Sequence, residues 1–305
     1  MGTVDRMTIA IPFYRGREYL RCAIESVLKQ SDPRWDLVIS DDGQDPEILN
    51  QVVQYSDSRV RYSRNQSNLG MAGNWNRCLD LAQTDLVSIL HHDDELEPDY
   101  VSLMLTSSRR FPDAAGLFCN AKIIDHLGND LFSLVDYLKR FLRPECRDAF
   151  ELHGESGVAS LMGGNYIICP TMCYRRSRLP VEWFRSKWKM VLDLELFTRI
   201  LFGGGGLVGL PNEAYRYRRH SENATSEYTR TLLRFHEESQ LHDEIAAVAT
   251  NRGWSLAAKR AAAKMPIKLH LAYLSILEFA SFDFCSGLRK IRFLFHLLFG
   301  TKPFA

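Results

Sequence analysis

Apolar and polar residues follow two different periodicities in the first half of the chain. Short apolar runs, of the length typical of buried strands, occupy residues 7–13, 35–40, 60–63 and 86–90. Between them, apolar side chains recur at helical spacing over residues 18–29, 46–55 and 71–83. A further helix is predicted from Pro98 to about Arg110, and a further strand over residues 115–124. The chain therefore begins with a βαβαβαβ succession.

This succession predicts an α/β fold with a parallel sheet whose crossover helices cover its faces. In such sheets, ligands bind beyond the carboxyl ends of the strands. Three predicted strands end in polar or aromatic residues: Pro12 to Tyr14, Asp41-Asp42 and His91 to Asp94. We expect these three clusters to converge on one crevice at the edge of the sheet.

The second half of the chain has a different organisation. From about residue 126 the regular succession breaks into loops and helices, and after residue 226 the pattern is helical, with interruptions near Gly253, Pro266 and Gly287. We therefore predict three parts, covering residues 1–125, 126–226 and 227–305.

Composition and charge narrow the possible partners and the compartment. The chain has 305 residues, of which 46% are hydrophobic, so it can bury a substantial core. Its 38 basic residues nearly cancel its 37 acidic ones, and a chain with so little net charge is not expected to bind nucleic acid. The seven scattered cysteines do not predict a disulfide framework. The N-terminus has no apolar secretory segment, which favours a cytoplasmic location.

The run ILHHDDELEP (89–98) has three interpretations. Carboxylates at the end of a buried strand suit a hard divalent cation, because the metal relieves the repulsion between adjacent acids. An isolated acidic run is also common as a solvated turn before a helix. The His-Asp pair further resembles that of HD-type phosphohydrolases, but those pairs lie in helical bundles, and the strand before this one disfavours that interpretation.

The C-terminal region is rich in Leu and Phe with interspersed Lys and Arg, over PIKLHLAYLSILEFASFDF and LRKIRFLFHLLFG. One interpretation is a helix pair that packs against the rest of the chain. The other is a pair of interfacial helices whose basic side chains contact anionic lipid. No uninterrupted apolar stretch reaches the roughly 18 residues expected of a membrane span.

Seven motifs in order and spacing resemble the family 2 inverting glycosyltransferases over roughly residues 7–226. They are IPFYRGREYLRCAIESVLKQS, LVISDDGQD, NQSNLGMAGNWNRCL with VSILHHDDELEPDYV in the first half, and GNYIICPTMCYRRS, VLDLELFTRI and YRYRRHSENATS in the second. The resemblance implies a GT-A fold, with a Rossmann-like, mostly parallel sheet flanked by helices. It assigns residues 1–125 to the nucleotide-sugar donor, 126–226 to the acceptor and catalysis, and 227–305 to a helical extension.

The resemblance also implies roles for individual residues. Pro12, Tyr14 and Asp42 match positions around the nucleotide base, with Asp42 accepting from a uracil-type imide. Asp93 matches the last carboxylate of the DxD motif, which holds Mn²⁺ or Mg²⁺ on the diphosphate, and His220 matches a second metal ligand.

The catalytic base implied by the resemblance is Asp193. Inverting transfer requires one carboxylate that takes the proton of the acceptor hydroxyl. Glu195 is the alternative base, and both acids could instead be surface charges that pair with Lys189 or Arg199 at helical spacing.

Two positions depart from the family pattern. His91 replaces the first acid of the DxD motif, so that either His91 or His92 is a candidate for its contact, and we assign His92 to the donor site. Trp75 stands where the family often has an arginine near the diphosphate.

These observations predict a metal-dependent glycosyltransferase that uses a nucleoside diphosphate sugar, with UDP as the expected nucleotide. The Leu/Phe-rich C-terminal region favours a saccharide or lipid-linked saccharide acceptor and peripheral contact with the cytoplasmic face of a membrane, as in surface polysaccharide assembly. Two alternatives are a non-catalytic nucleotide-sugar-binding subunit and a sugar nucleotidyltransferase. The first has no need for a base, and the second is expected to carry a glycine-rich signature that the first strand lacks.

Overall fold

The structure, a computed structural model, describes residues 6–43, 45–133, 142–144, 147–220 and 224–300. The chain divides into two compact units. The first comprises residues 1–154 and 166–220, and the second comprises residues 155–165 and 221–305. The first unit contains the sheet and all the predicted site residues, and the second is helical.

The first unit is built from nine strands and five helices among the residues described. The strands are β1 (Met7–Phe13), β2 (Trp35–Asp41), β3 (Val60–Arg64), β4 (Leu86–Ile89), β5 (Glu95–Leu96), β6 (Ala114–Ile124), β7 (Phe150–His153), β8 (Met172–Arg175) and β9 (Gly206–Arg218). The helices are α1 (Arg17–Leu28), α2 (Glu47–Val53), α3 (Gly70–Leu81), α4 (Tyr100–Arg110) and α6 (Leu192–Phe202). Short 3-10 turns cover Cys169–Thr171 and Arg176–Arg178.

All nine strands form one sheet in the order β3-β2-β1-β4-β8-β6-β9-β5, with β7 also paired to β9. The first four strands are parallel, as the sequence pattern predicts. Every residue of β1 is buried, because a strand in the middle of a sheet covered by helices on both faces has no solvent side. The central sheet and its flanking helices confirm the predicted α/β class.

The later strands make the sheet mixed, which the periodicity did not predict. Strand β8 runs antiparallel between β4 and β6, so β4 and β6 are not neighbours. Strand β9 pairs parallel with β6 and antiparallel with β5 and β7. Residues 1–125 and residues 126–226 thus both contribute strands to one sheet, and their division into donor and acceptor parts stays a prediction.

The second unit contains the helices α5 (Gly154–Met162), which starts at the boundary, α7 (Ala224–Arg230), α8 (Leu233–Asn251), α9 (Ser255–Ala263), α10 (Met265–Ala280) and α11 (Phe284–Phe299). The predicted interruptions at Gly253 and Pro266 lie at helix boundaries. Gly287 lies inside α11 instead, and the break falls at residues 281–283. None of the described helices is both long and apolar enough to cross a membrane.

Candidate active site

The candidate site is assembled by the pairing of a very short strand with a long one. Strand β4 ends just before His91, and β5 begins at Glu95, so the HHDD residues form the turn between them. In the antiparallel β5–β9 pair, Glu95 lies opposite Arg216 and Leu96 opposite Tyr215. Because of this register, the end of β9 lies beside the turn that carries Asp93. His220 follows two residues after β9 and therefore lies close to that turn.

His220 and Asp93 are in direct contact. The Nε2 atom of His220 lies 2.9 Å from Oδ2 of Asp93, and both side chains are mostly buried. Burial alone would raise the pKa of Asp93, but the hydrogen bond with His220 and the nearby His92 and His91 hold this pKa well below its usual range. Asp93 is therefore an ionised carboxylate at neutral pH.

His91, Asp93 and Asp94 form a group that can hold a metal ion, with one potential ligand atom of each within 4.8 Å of the others. The Nε2 atom of His91 is buried and has no hydrogen-bond partner among the described residues. Burial lowers the pKa of His91 to about 4, so its imidazole is neutral at pH 7 and can donate a lone pair. An imidazole nitrogen and carboxylate oxygens this close together fit a divalent cation.

Asp94 differs from Asp93 in its surroundings. Its Oδ1 accepts the backbone N–H of Arg218 at 2.7 Å, and its Oδ2 accepts the hydroxyl of Tyr215 at 3.0 Å. Burial, and then the repulsion from Asp93, raise its pKa well above the usual value. Asp94 therefore ties β9 to the HHDD turn, and this tie is a role that the sequence did not reveal.

The buried side chain of Arg218 connects the HHDD turn to the strands around it. Its side chain is 2% exposed, and its Nε donates to the carbonyl oxygen of Asp93 at 2.7 Å. One terminal nitrogen donates to the carbonyl of Asp125 at 2.9 Å, and the other pairs with the Glu95 carboxylate. These contacts hold the backbone of the HHDD turn.

Trp75 and His91, the two residues that depart from the family pattern, contact each other. The ring of Trp75 lies 5.2 Å from the ring of His91 at an interplanar angle of 33°. Phe184 also packs edge-on against Trp75, at 5.0 Å and 80°. Trp75 is nearly buried, so it fixes the orientation of the His91 imidazole and does not contribute charge.

His92, which we assigned to the donor site, packs against residues at the end of β1 and not against Trp75. Its ring packs edge-on against Phe13 at 5.8 Å, and a Cβ at Gly16 would lie 3.5 Å from its Nε2. Burial lowers the pKa of His92. His92 therefore lies beside the turn after β1, whereas His91 is the imidazole that belongs to the metal-binding group.

The ends of β1 and β2 adjoin, as predicted. The backbone N–H of Asp42 donates to the carbonyl of Phe13 at 2.8 Å, and Tyr14 is 53% exposed beyond it. A Cβ at Gly43 would lie 2.3 Å from the Tyr14 carbonyl oxygen, so only glycine permits this approach. Pro12 is buried within β1.

The carboxylate of Asp42 accepts hydrogen bonds from the chain itself. Its donors are Asn65 Nδ2 and the backbone N–H groups of Leu69 and Gly70, at 2.8 to 3.0 Å. These contacts fix the start of α3, where a negative charge is favourable. Asn74 of α3 adds contacts to the carbonyls of Phe13 and Ser40. Asn65 and Asn74 lie in a motif that we quoted, but their positions in the network required the structure.

The two candidate bases lie in the first turn of α6 and have different environments. Glu195 is buried, and its Oε1 accepts from Arg199 Nε at 2.8 Å and from Arg185 Nη1 at 3.0 Å. The Arg199 contact is the i, i+4 pair considered from the sequence. Asp193 is only half-buried. Asp193 and Asp94 both raise the pKa of the Cys169 thiol, after the larger effect of burial.

Comparison with known proteins identifies the family. Residues 8–162 match the family model described as glycosyl transferase family 2. The chain belongs to this family. The resemblance seen in the sequence motifs is thus confirmed, and the chain is a glycosyltransferase.

The match with this family 2 glycosyltransferase covers different shares of two relatives. The uncharacterized protein MT1568 of Mycobacterium tuberculosis is 25% identical over 236 residues, which are 74% of this chain and 70% of the relative. WfgD of Escherichia coli is 30% identical over 125 residues, or 39% of this chain and 47% of WfgD. WfgD is described as a UDP-Glc:alpha-D-GlcNAc-diphosphoundecaprenol beta-1,3-glucosyltransferase. The chain thus matches less than half of WfgD.

Two solved structures show the same fold. Residues 1-349 of S. aureus TarS, in complex with UDP-GlcNAc, give a TM-score of 0.65 at 14% identity, over 96% of this chain and 81% of that one. GalNAc-T7 with UDP, GalNAc and Mn²⁺ gives 0.55 at 13% identity, over 72% and 45%. These likenesses confirm the GT-A fold that the sequence predicted.

Proposed function

We propose that this glycosyltransferase moves a sugar from a UDP-sugar donor, with inversion and with the help of Mn²⁺ or Mg²⁺, to a saccharide or lipid-linked saccharide acceptor. The observation that carries the proposal is the His91, Asp93 and Asp94 group, closed by His220, at the carboxyl ends of the parallel strands. WfgD, whose name includes a UDP-sugar and a lipid-linked acceptor, and TarS, solved with UDP-GlcNAc, support the choice of substrates.

In this proposal Asp93 and His91 of the group hold the cation together with His220, which contacts Asp93. Asp94 is left to position the turn, because both of its carboxylate oxygens accept hydrogen bonds from β9. The ionised Asp93 supplies charge, and the neutral imidazole of His91 supplies a lone pair. Imidazole ligands suit Mn²⁺ better than Mg²⁺, which prefers an all-oxygen set. A bound cation would stabilise the negative charge that grows on the departing diphosphate.

The donor nucleotide is proposed to lie along the ends of β1 and β2. Tyr14 is exposed there and can stack on a base, and His92 and the buried Pro12 form the wall beside it. We propose that Asp42 also accepts from the base, as the resemblance implies, although its carboxylate already accepts from the start of α3.

Asp193 is proposed to act as the base. It takes the proton of the acceptor hydroxyl while the acceptor oxygen forms its bond to the anomeric carbon, and the bond from that carbon to the diphosphate oxygen breaks on the opposite face. Glu195 is less suited, because its carboxylate is engaged by two arginines.

The biological setting follows from the relatives. TuaG of Bacillus subtilis and WcaA of Escherichia coli are described as putative glycosyltransferases of teichuronic and colanic acid biosynthesis. We propose a role in polysaccharide biosynthesis on the cytoplasmic face of a membrane, which the chain contacts through its C-terminal helices.

A panel of nucleotide sugars tests this proposal. The full chain is mixed with UDP-, GDP- or dTDP-sugars, with Mn²⁺, Mg²⁺ or EDTA, and thermal shift and nucleotide release are measured. We expect a thermal shift and a slow release of UDP with a UDP-sugar, and both only when Mn²⁺ or Mg²⁺ is present. If no nucleotide sugar binds in a metal-dependent manner, the proposal fails.

A further inference from the structure

The helices α10 and α11 each expose a stripe of apolar side chains. On α11, Phe284, Leu288, Phe295, Leu298 and Phe299 recur at spacings that place them on one side of the helix, and all are exposed. On α10, Met265, Leu269, Tyr273 and Ile276 do the same. Phe282, in the turn between the helices, is 81% exposed. We call these ten side chains the hairpin surface.

The opposite sides of the two helices are already used. Ile267 and Leu271 of α10 and Phe293 of α11 pack with Phe235 of α8 in a buried cluster. The helices also approach each other closely, because a Cβ at Gly287 would meet the Phe279 ring at 3.0 Å. The hairpin surface is therefore directed away from the unit's own core.

The charge beside the hairpin surface is positive. Glu278 pairs with the buried Lys290, and Asp283 accepts the backbone N–H of Ser286 at 3.1 Å. These are the two acids of the helix pair and its turn, from residue 265 to residue 299. Arg289 and Arg292 are exposed on the same margin of the α11 stripe. Acidic groups are thus tied within the protein, while basic ones border the apolar face.

We propose that the hairpin surface docks into the interface of a bilayer that contains anionic lipid. Apolar side chains enter the boundary between headgroups and acyl chains, and Arg289 and Arg292 contact the lipid phosphates. Exposed apolar patches of this extent mark interaction sites. In a symmetric dimer, the hairpin surfaces of two chains would face each other, and Arg289 and Arg292 of both chains would lie in one interface. The repulsion between these positive charges disfavours a second copy of the chain as the occupant. This proposal rests on the membrane setting of the proposed function, for which it names the lipid partner and the surface, and it does not depend on the donor site.

Vesicle binding by the full chain provides the test. Sedimentation with vesicles of neutral phosphatidylcholine is compared with sedimentation with vesicles that also contain phosphatidylglycerol. We expect binding to the anionic vesicles that weakens with added salt. F295E/F299E should lower it at least tenfold, and R289E and R292E by about fivefold each. The matched controls are V248E and L256E, which alter exposed apolar residues elsewhere in the same unit and should bind as wild type.

A second measurement uses the wild-type surface. Cys285 is exposed at the start of α11, and a polarity-sensitive fluorophore attached to it should shift to the blue with anionic vesicles, with C285S as the background control. Equal binding of wild type and F295E/F299E to anionic vesicles would overturn the proposal. The proposal would also fail if the wild type bound no vesicles and instead formed a dimer that F295E/F299E disrupts. Nucleotide binding by these variants, measured separately, shows whether the proposed function stands when this proposal fails.

Discussion

The imidazole of His220 lies 2.9 Å from the carboxylate of Asp93, although 127 positions separate them in the chain. The contact holds two proposed metal ligands together. We expect H220A and D93A each to weaken Mn²⁺ binding in the presence of UDP by roughly 10- to 100-fold, as measured by calorimetry. Replacement of the exposed His126 by alanine is the control. Wild-type Mn²⁺ affinity in H220A would remove His220 from the site.

The environment of His91 predicts a change in metal preference. Replacement of this imidazole by a carboxylate leaves His220 as the only nitrogen ligand of the proposed set, and Mg²⁺ favours a donor set richer in oxygen. We expect H91D to raise the affinity for Mg²⁺ relative to Mn²⁺ by about tenfold in titrations with UDP. W75F, which keeps an aromatic ring beside His91, should preserve the wild-type preference. An unchanged metal ratio in H91D would exclude His91 as a ligand.

The buried contacts of Arg218 predict a large loss of stability. R218M removes the donors to the Asp93 and Asp125 carbonyls and leaves Glu95 with the more distant Arg216 as its ion-pair partner. We expect the free energy of unfolding to fall by about 3–5 kcal/mol in urea titrations. R178M removes an exposed pair with Asp113 and should cost at most about 1 kcal/mol. Similar losses in the two variants would contradict the positioning role of Arg218.

The two acids of α6 should separate by phenotype. D193N is expected to lower transfer by at least about 1,000-fold while the affinity for the UDP-sugar stays within about twofold of wild type. E195Q removes the charge that two arginines share, so we expect a loss of about 3 kcal/mol in the free energy of unfolding with kcat retained at low temperature. Activity in D193N together with its loss in E195Q would transfer the role of the base to Glu195.

His242 predicts a pH dependence of stability in the second unit. Burial lowers its pKa, and its Nδ1 lies 3.1 Å from the Ala261 carbonyl oxygen. Below about pH 6.5 the unfolded chain binds a proton that the folded chain does not, so the free energy of unfolding decreases as the pH falls. We expect H242Q to show a shallower decrease between about pH 7 and about pH 5 in urea titrations. An identical slope would refute this assignment.

The sequence determined much of this protein by itself. Hydrophobic periodicity is a local property, so the first four strands, their crossover helices and the rim that carries Tyr14, Asp42 and Asp93 were predictable from short windows. The family resemblance also singled out His220 and Asp193, because each lies in a motif that occurs in the expected order.

Only the tertiary structure decided how the later residues meet. Strand β5 has two residues, too few for a periodic signal, yet its pairing with β9 sets the contact between His220 and Asp93. The contact of Trp75 with His91 and the burial of Arg218 likewise join residues far apart in the chain. Side-chain spacing indicates which face of a strand is buried but not which strand lies beside it, and that choice depends on packing across the whole sheet.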